Sequence, residues 1–139
     1  MFEGSSFGRT IDILQRTMDV NMLRQDVIAN NIANSDTPHF KRSFVNFEAS
    51  LRRALADEQR DPGLRAKVSR ERHIAFYRPQ DYRDVQPRRV LDYTTTAKNN
   101  GNNVDIEVES MNLVNNQLAY NLHTTNVNAQ FARVNSVLR

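Results

Sequence analysis

Along the first third of the chain, Ile11, Leu14 and Met18, then Ile28 and Ile32, recur at three- and four-residue steps, which predicts a helix over residues 8–33. A second stripe, Ile13, Val20 and Val27, recurs every seven residues. Two stripes on one helix predict burial on more than one side, beyond what a helix lying on a single core requires. The helix is expected to stop near Asn34, because Pro38 disfavours helical geometry at Thr37 and Asn tolerates the left-handed closing position. Ser35 to Pro38 then forms a turn. A shorter helix is predicted from Phe47 to about Ala56, with Asn46 as its cap, Phe47, Leu51 and Leu55 on one face, and Glu48 one turn before Arg52. Residues 57–103 hold three of the four prolines and no sustained period. Only Arg89 to Tyr93 has strand character there, and Asn99-Asn-Gly-Asn-Asn103 is a turn signal closing the segment.

From Asp105 to about Leu138 the helical period returns, for a length of about 50 Å. Asp105, Glu107 and Glu109 crowd its first turns, where the helix dipole favours negative charge. Val104, Val108, Met111, Leu118, Leu122, Thr125, Ala129 and Ala132 follow alternating four- and three-residue steps, with Asn115 at the intervening position. Val127, Phe131, Val134 and Leu138 make a second stripe. This is coiled-coil-like patterning, and an Asn in such a seam fixes register at some cost in stability. From Ser110 to Ala132 there is no Asp, Glu, Lys or Arg, yet six Asn. A solvated helix of that length carries charges outside, and a membrane helix would not carry so many amides. Protein on most sides satisfies both constraints, since amides hydrogen-bond across helices without the desolvation cost of a charge. A lone chain of 139 residues cannot wrap such a helix, so other subunits are expected around it.

Composition narrows the class. With 39% apolar residues, one domain-sized unit spanning 1–139 is expected: leader and helix to 34, turn, short helix and irregular middle over 35–103, and the last helix over 104–139. Cysteine is absent, so disulfides and thiolate chemistry are excluded. No apolar run reaches the roughly 18 residues of a membrane span, and Glu3 stands where a secretory signal carries Lys or Arg, so no cleavable signal is expected. The net charge of +3 is concentrated between Arg52 and Arg89, where eleven basic residues face six acidic ones. Asp12, Asp19 and Asp26, by contrast, form an acidic row at heptad spacing on the first helix.

Two motifs carry a resemblance. The stretch Asp26-Val-Ile-Ala-Asn-Asn-Ile-Ala-Asn34, followed by Ser35-Asp-Thr-Pro-His-Phe-Lys-Arg42, resembles the amino-terminal signature of the flagellar basal-body rod family: a helix running into N-N-I-A-N, a polar turn, T-P, an aromatic and a basic residue. Gly101-Asn-Asn-Val-Asp-Ile-Glu107 with Asn116-Gln-Leu-Ala-Tyr120 is similar to the FlgB branch of that family, and the chain length agrees. Lys41-Arg-Ser-Phe44, Pro87-Arg-Arg-Val-Leu-Asp-Tyr93 and Lys98-Asn-Asn-Gly101 are similar to spirochaete members. The family usually has Gly where this chain has His39; a positive φ there would cost a histidine. The resemblance implies a structural proximal-rod subunit without catalytic activity or cofactor. It also implies export through the flagellar type III apparatus and assembly in the periplasm with further copies, FlgC, FliE and the MS-ring protein FliF.

The expected architecture is mainly α: two long terminal helices packed antiparallel as a coiled-coil-like pair, a short helix after the turn, and an irregular middle with little β. Subunit-interface candidates are Asn30, Asn31, Ile32, Asn34, Thr37, Pro38 and Phe40 at the first junction, and Met111, Val114, Leu118, Leu122, Phe131 and Val134 on the last helix. The histidines at 39, 73 and 123 have no metal-ligand spacing, and Asp105, Glu107 and Glu109 are read as helix-start charges rather than an acid/base cluster. A nucleic-acid-binding protein is the rival class, motivated by Arg52-Arg53, Arg70, Arg72 and Arg88-Arg89. Against it stand the interleaved acids and the lack of any recognised binding signature. No P-loop, G-x-S-x-G, H-E-x-x-H or paired-Cys pattern supports an enzyme.

Overall fold

Helix α1 (Ser6–Ala33) opens where the Ser5 hydroxyl accepts the Gly8 backbone N–H at 3.1 Å, satisfying one of the donors that a first turn leaves free. It closes at Asn34, whose N–H donates to the carbonyls of Asn30 and Asn31. Asn34 has φ −106°, so the left-handed residue expected there is absent from that position. The positive φ falls five residues on, at His39 (59°). The computed structural model describes residues 5–58, 70, 80–95 and 98–138. Arg72 and His73 lie outside the described residues, as does much of the Arg-rich middle.

Strand β1 (Ser43–Asn46) pairs with β2 (Arg88–Leu91) in a two-stranded sheet. Helix α2 (Glu48–Glu58) starts one residue later than its pattern suggests: the Phe47 carbonyl accepts the Leu51 N–H at 2.9 Å, so Phe47 rather than Asn46 occupies the cap position. Helix α3 (Ile106–Val137) begins at Asp105, whose carboxylate accepts the N–H groups of Glu107 and Val108. The helix-start reading of Asp105 is therefore correct in its strongest form, as an N-cap.

The chain forms two compact units, one from Asn46 to Arg88 and the other from the segments before and after it. In the first, α2 buries Leu51 and Ala54, and Phe47, Tyr82 and Val85 are also buried; α2 touches the short 3-10 turn Tyr82–Asp84. In the second, α1 and α3 pack antiparallel. Asn31 meets Glu109, Asn116 meets the Asn21 carbonyl, and Phe7 meets Phe131 edge-on with ring centroids 5.8 Å apart. Val20, Val27 and Ile28 of α1 are buried, as are Val45 and Val104. The terminal helices thus form the expected pair, and the strand content is small.

Candidate assembly interface

Asn31 is fully buried where α1 runs into its turn. Its amide group holds the start of β1 from both sides: Nδ2 donates to the Ser43 carbonyl at 2.8 Å, and Oδ1 accepts the Ser43 N–H at 3.0 Å. The same Nδ2 donates to Glu109 Oε2 at 3.1 Å, and Arg42 Nη2 lies 2.9 Å from Glu109 Oε1. Glu109 is 1% exposed and Asn31 fully buried, while the Arg42 side chain keeps a quarter of its surface exposed. Removing one partner of such a pair leaves an uncompensated buried charge. Glu109 is therefore more than a helix-start charge; it ties α3 to α1 and β1.

A second hub follows Gly101. The buried Asn102 donates from Nδ2 to the carbonyls of Asn34, Ser35 and Thr37 at 2.8–2.9 Å, while its Oδ1 accepts the Val104 N–H at 2.7 Å. These bonds pin the carbonyls of the turn that follows α1. Asn103 Oδ1 accepts the Arg42 N–H, and its Nδ2 donates to the Asp92 carbonyl at 2.7 Å. The Asp92 carboxyl lies below its ordinary value, held there first by the Thr95 hydroxyl and then by Thr94. A depressed carboxyl favours the ordered loop above its usual titration range, and that contribution is lost as pH falls through the lowered value.

The turn carries the cost that the His39 substitution implies. His39 adopts φ 59°, donates its N–H to the Asn100 carbonyl, and lies against Gly101, itself at φ 77°. A Cβ at Gly101 would stand 2.9 Å from His39 Nδ1. Gly101→Ala should therefore destabilise the protein by roughly 1–2 kcal/mol, because strain and contact act together. His39→Gly, in the Gly101→Ala background, should recover part of that loss in a urea titration. An unchanged midpoint for Gly101→Ala would contradict the geometry.

The remaining candidates separate into inward and outward sets. Asn30 is exposed, with Oδ1 accepting from Arg89 Nη2 at 3.2 Å, and Thr37 and Pro38 are exposed. Ile32, Asn34, Phe40 and Val134 are half-buried. Phe131 is half exposed beside Phe7. Met111, Val114, Leu118 and Leu122 are each 57–62% exposed. The stripe read as the coiled-coil seam therefore does not face α1. The α1-facing line of α3 carries Glu109 and Asn116 at heptad spacing, with half-buried His123 at the next such step. The junction thus mixes polar ties at Glu109 and Asn116 with apolar packing of α1 and the Phe7–Phe131 contact, and α3 is apolar along one outer face. Arg42, Ser43, Asn102, Asn103, Glu109 and Asn116 are the tertiary ties that sequence reasoning did not single out. They stood in the sequence only inside the motifs around Lys41 to Phe44, Gly101 to Glu107 and Asn116 to Tyr120 and among the helix-start acids, with no sign of pairing.

Among the described residues there is no group of acids and histidines arranged to hold a metal, and no helix is long and apolar enough to cross a membrane. The two long helices are tied by a buried latch and leave an apolar stripe exposed on the outer face of α3. The family model described as "Flagella basal body rod protein" matches residues 11–41, which include the Asn31 junction. The flagellar basal body rod protein FlgB of Borreliella burgdorferi is 46% identical, covering 97% of this chain and 99% of that relative. FlgB of Borrelia hermsii is 45% identical, with 96% and 98% covered, and FlgB of Bacillus subtilis is 32% identical, with 96% of each covered. The chain belongs to the FlgB family of flagellar basal body rod proteins.

Proposed function

We propose that this protein is a structural subunit of the proximal rod of the bacterial flagellar basal body, polymerising with other rod proteins to transmit torque. The observation that carries the proposal is the exposed stripe Met111, Val114, Leu118 and Leu122 on a helix without formal charge from Ser110 to Ala132. Fully covering each large apolar side chain is worth about 1.5–3 kcal/mol, so the stripe is a strong drive to associate. Phe131, half exposed beside Phe7, and half-buried Val134 lie on the other side of α3, toward α1, while Asn30, Thr37, Pro38 and Phe40 supply a mixed rim at the turn. Contacts spread along two long helices resist shear because many must break together.

The family supports assembly with other rod components in the basal body. FlgC, FliE and the MS-ring protein FliF are the proposed neighbours beside further copies, with the subunit reaching the periplasm through the type III export apparatus. Nothing among the described residues or the relatives favours the nucleic-acid reading, and of the arginines that motivated it Arg89 is bonded to Asn30. A cysteine placed at Leu122 tests the rod assignment, since the chain has no other. It should alkylate readily in free subunit and resist alkylation in purified basal bodies. Equal reactivity in both states would remove the stripe from the interface.

A further inference from the structure

Asn100-Gly101 is the one Asn-Gly pair in the chain, and Asn100 is exposed. Such a pair is chemically unstable. Glycine has no Cβ to keep its backbone nitrogen away from the preceding side chain, so that nitrogen is free to attack the Asn amide carbon. In the folded subunit both reacting groups are occupied. The Gly101 N–H donates to the Lys98 carbonyl at 3.2 Å, and Asn100 Oδ1 accepts the Asn102 N–H at 3.1 Å. The main-chain carbonyls are held as well, that of Asn100 by the His39 N–H and that of Gly101 by Lys41 Nζ at 2.9 Å. These ties belong to the hub in which Asn102 binds the carbonyls of Asn34, Ser35 and Thr37. Attack requires the Gly101 nitrogen to shed its proton and turn toward Asn100 Cγ, and the Lys98 carbonyl is no base for that proton. Reaction therefore has to wait for local opening of the turn.

We propose that Asn100 is a deamidation site gated by this hub, so that chains which stay open are chemically marked. Gly101 N bonds to Asn100 Cγ, and the Cγ–Nδ2 bond breaks. The amide proton of Gly101 leaves with Nδ2 as ammonia, and a cyclic succinimide remains. Water then opens the ring at either of its carbonyls, giving aspartate or isoaspartate at position 100; no oxidant or reductant takes part. Isoaspartate runs the main chain through the former side chain and adds one backbone carbon immediately before Gly101. Asn102 is then displaced from carbonyls that it meets at 2.8–2.9 Å. The closed hub thus protects the residue on which it depends, and a chain that lingers open loses the means to close.

Purified subunit held in native buffer and in guanidinium chloride, followed by peptide mass spectrometry and enzymatic methyl labelling of isoaspartate, tests this. Isoaspartate at position 100 should form at least about tenfold faster in denaturant, since opening must precede attack. Lys41→Met and Asn102→Ala loosen the hub without touching the reacting atoms; each should raise the native rate severalfold and leave the denatured rate unchanged. Asn100→Gln should abolish the product. On dilution from denaturant, aged wild type should lose refolding amplitude in step with its isoaspartate content, while equally aged Asn100→Gln refolds in full. Equal native and denatured rates, no isoaspartate in denaturant, or hub variants that react natively at the wild-type rate would each overturn the proposal. Isoaspartate-containing chains that refold with an unchanged denaturation midpoint would overturn it too. Circular dichroism identifies a variant that has simply unfolded; should Asn102→Ala do so, Lys41→Met decides.

Discussion

Cells carrying Leu118→Asp should make and secrete the subunit, build no filament and fail to swim. Leu118 is 59% exposed in the single subunit, so a carboxylate there meets water and the isolated fold should change by less than about 0.5 kcal/mol. In the assembled rod the same carboxylate would be buried without a partner, a penalty of several kcal/mol for every subunit added. The two environments separate folding from assembly, which a substitution at a core residue such as Val20 could not do. Leu118→Ala and Leu122→Ala should be milder, weakening incorporation by about 2–5 kcal/mol if the sites are fully covered. Motile cells carrying Leu118→Asp, or a secreted variant with altered helix content, would show that the stripe has a different role.

Glu109→Ala should have the opposite profile, with loss of fold before any question of assembly arises. It leaves Arg42 and Asn31 without the carboxylate they share, and breaking a buried pair costs about 3–5 kcal/mol. Arg42 keeps about a quarter of its side chain exposed, which places the expected value at the lower end of that range. Arg42→Met with Glu109→Leu should recover most of the loss, because two apolar groups of similar volume leave no charge unpaired. Urea denaturation of the wild type, Glu109→Leu, Arg42→Met and their combination forms a double-mutant cycle. A loss under about 1 kcal/mol for Glu109→Ala would reduce the pair to the worth of a surface contact. Asn31 belongs to this latch as well. Its replacement should injure the fold of the subunit and not only its incorporation, which separates it from exposed Asn30.

Local features were legible from residues alone. The predicted 8–33 helix is Ser6–Ala33 and the predicted 105–138 helix is Ile106–Val137, because periodicity, caps and the Pro38 stop act within a few residues of each other. The turn motif and the Gly101 to Glu107 run were enough to suggest the family. The anomaly at His39 was visible as a departure from the expected glycine, and its positive φ is the physical content of that departure.

What sequence could not determine was which side of α3 meets α1. The most apolar stripe was the natural choice, yet it lies outside, and Glu109 and Asn116 lie within. Hydrophobic patterning reports burial in the final assembly without saying which surface is covered inside one subunit and which by neighbours. The inner choice rests on polar contacts between residues far apart in the chain, 78 positions for Asn31 with Glu109 and 95 for Asn116 with the Asn21 carbonyl. No local spacing encodes such a pairing. It is decided only when both ends of the chain meet, where a buried amide or carboxylate is tolerable in the one register that gives it partners.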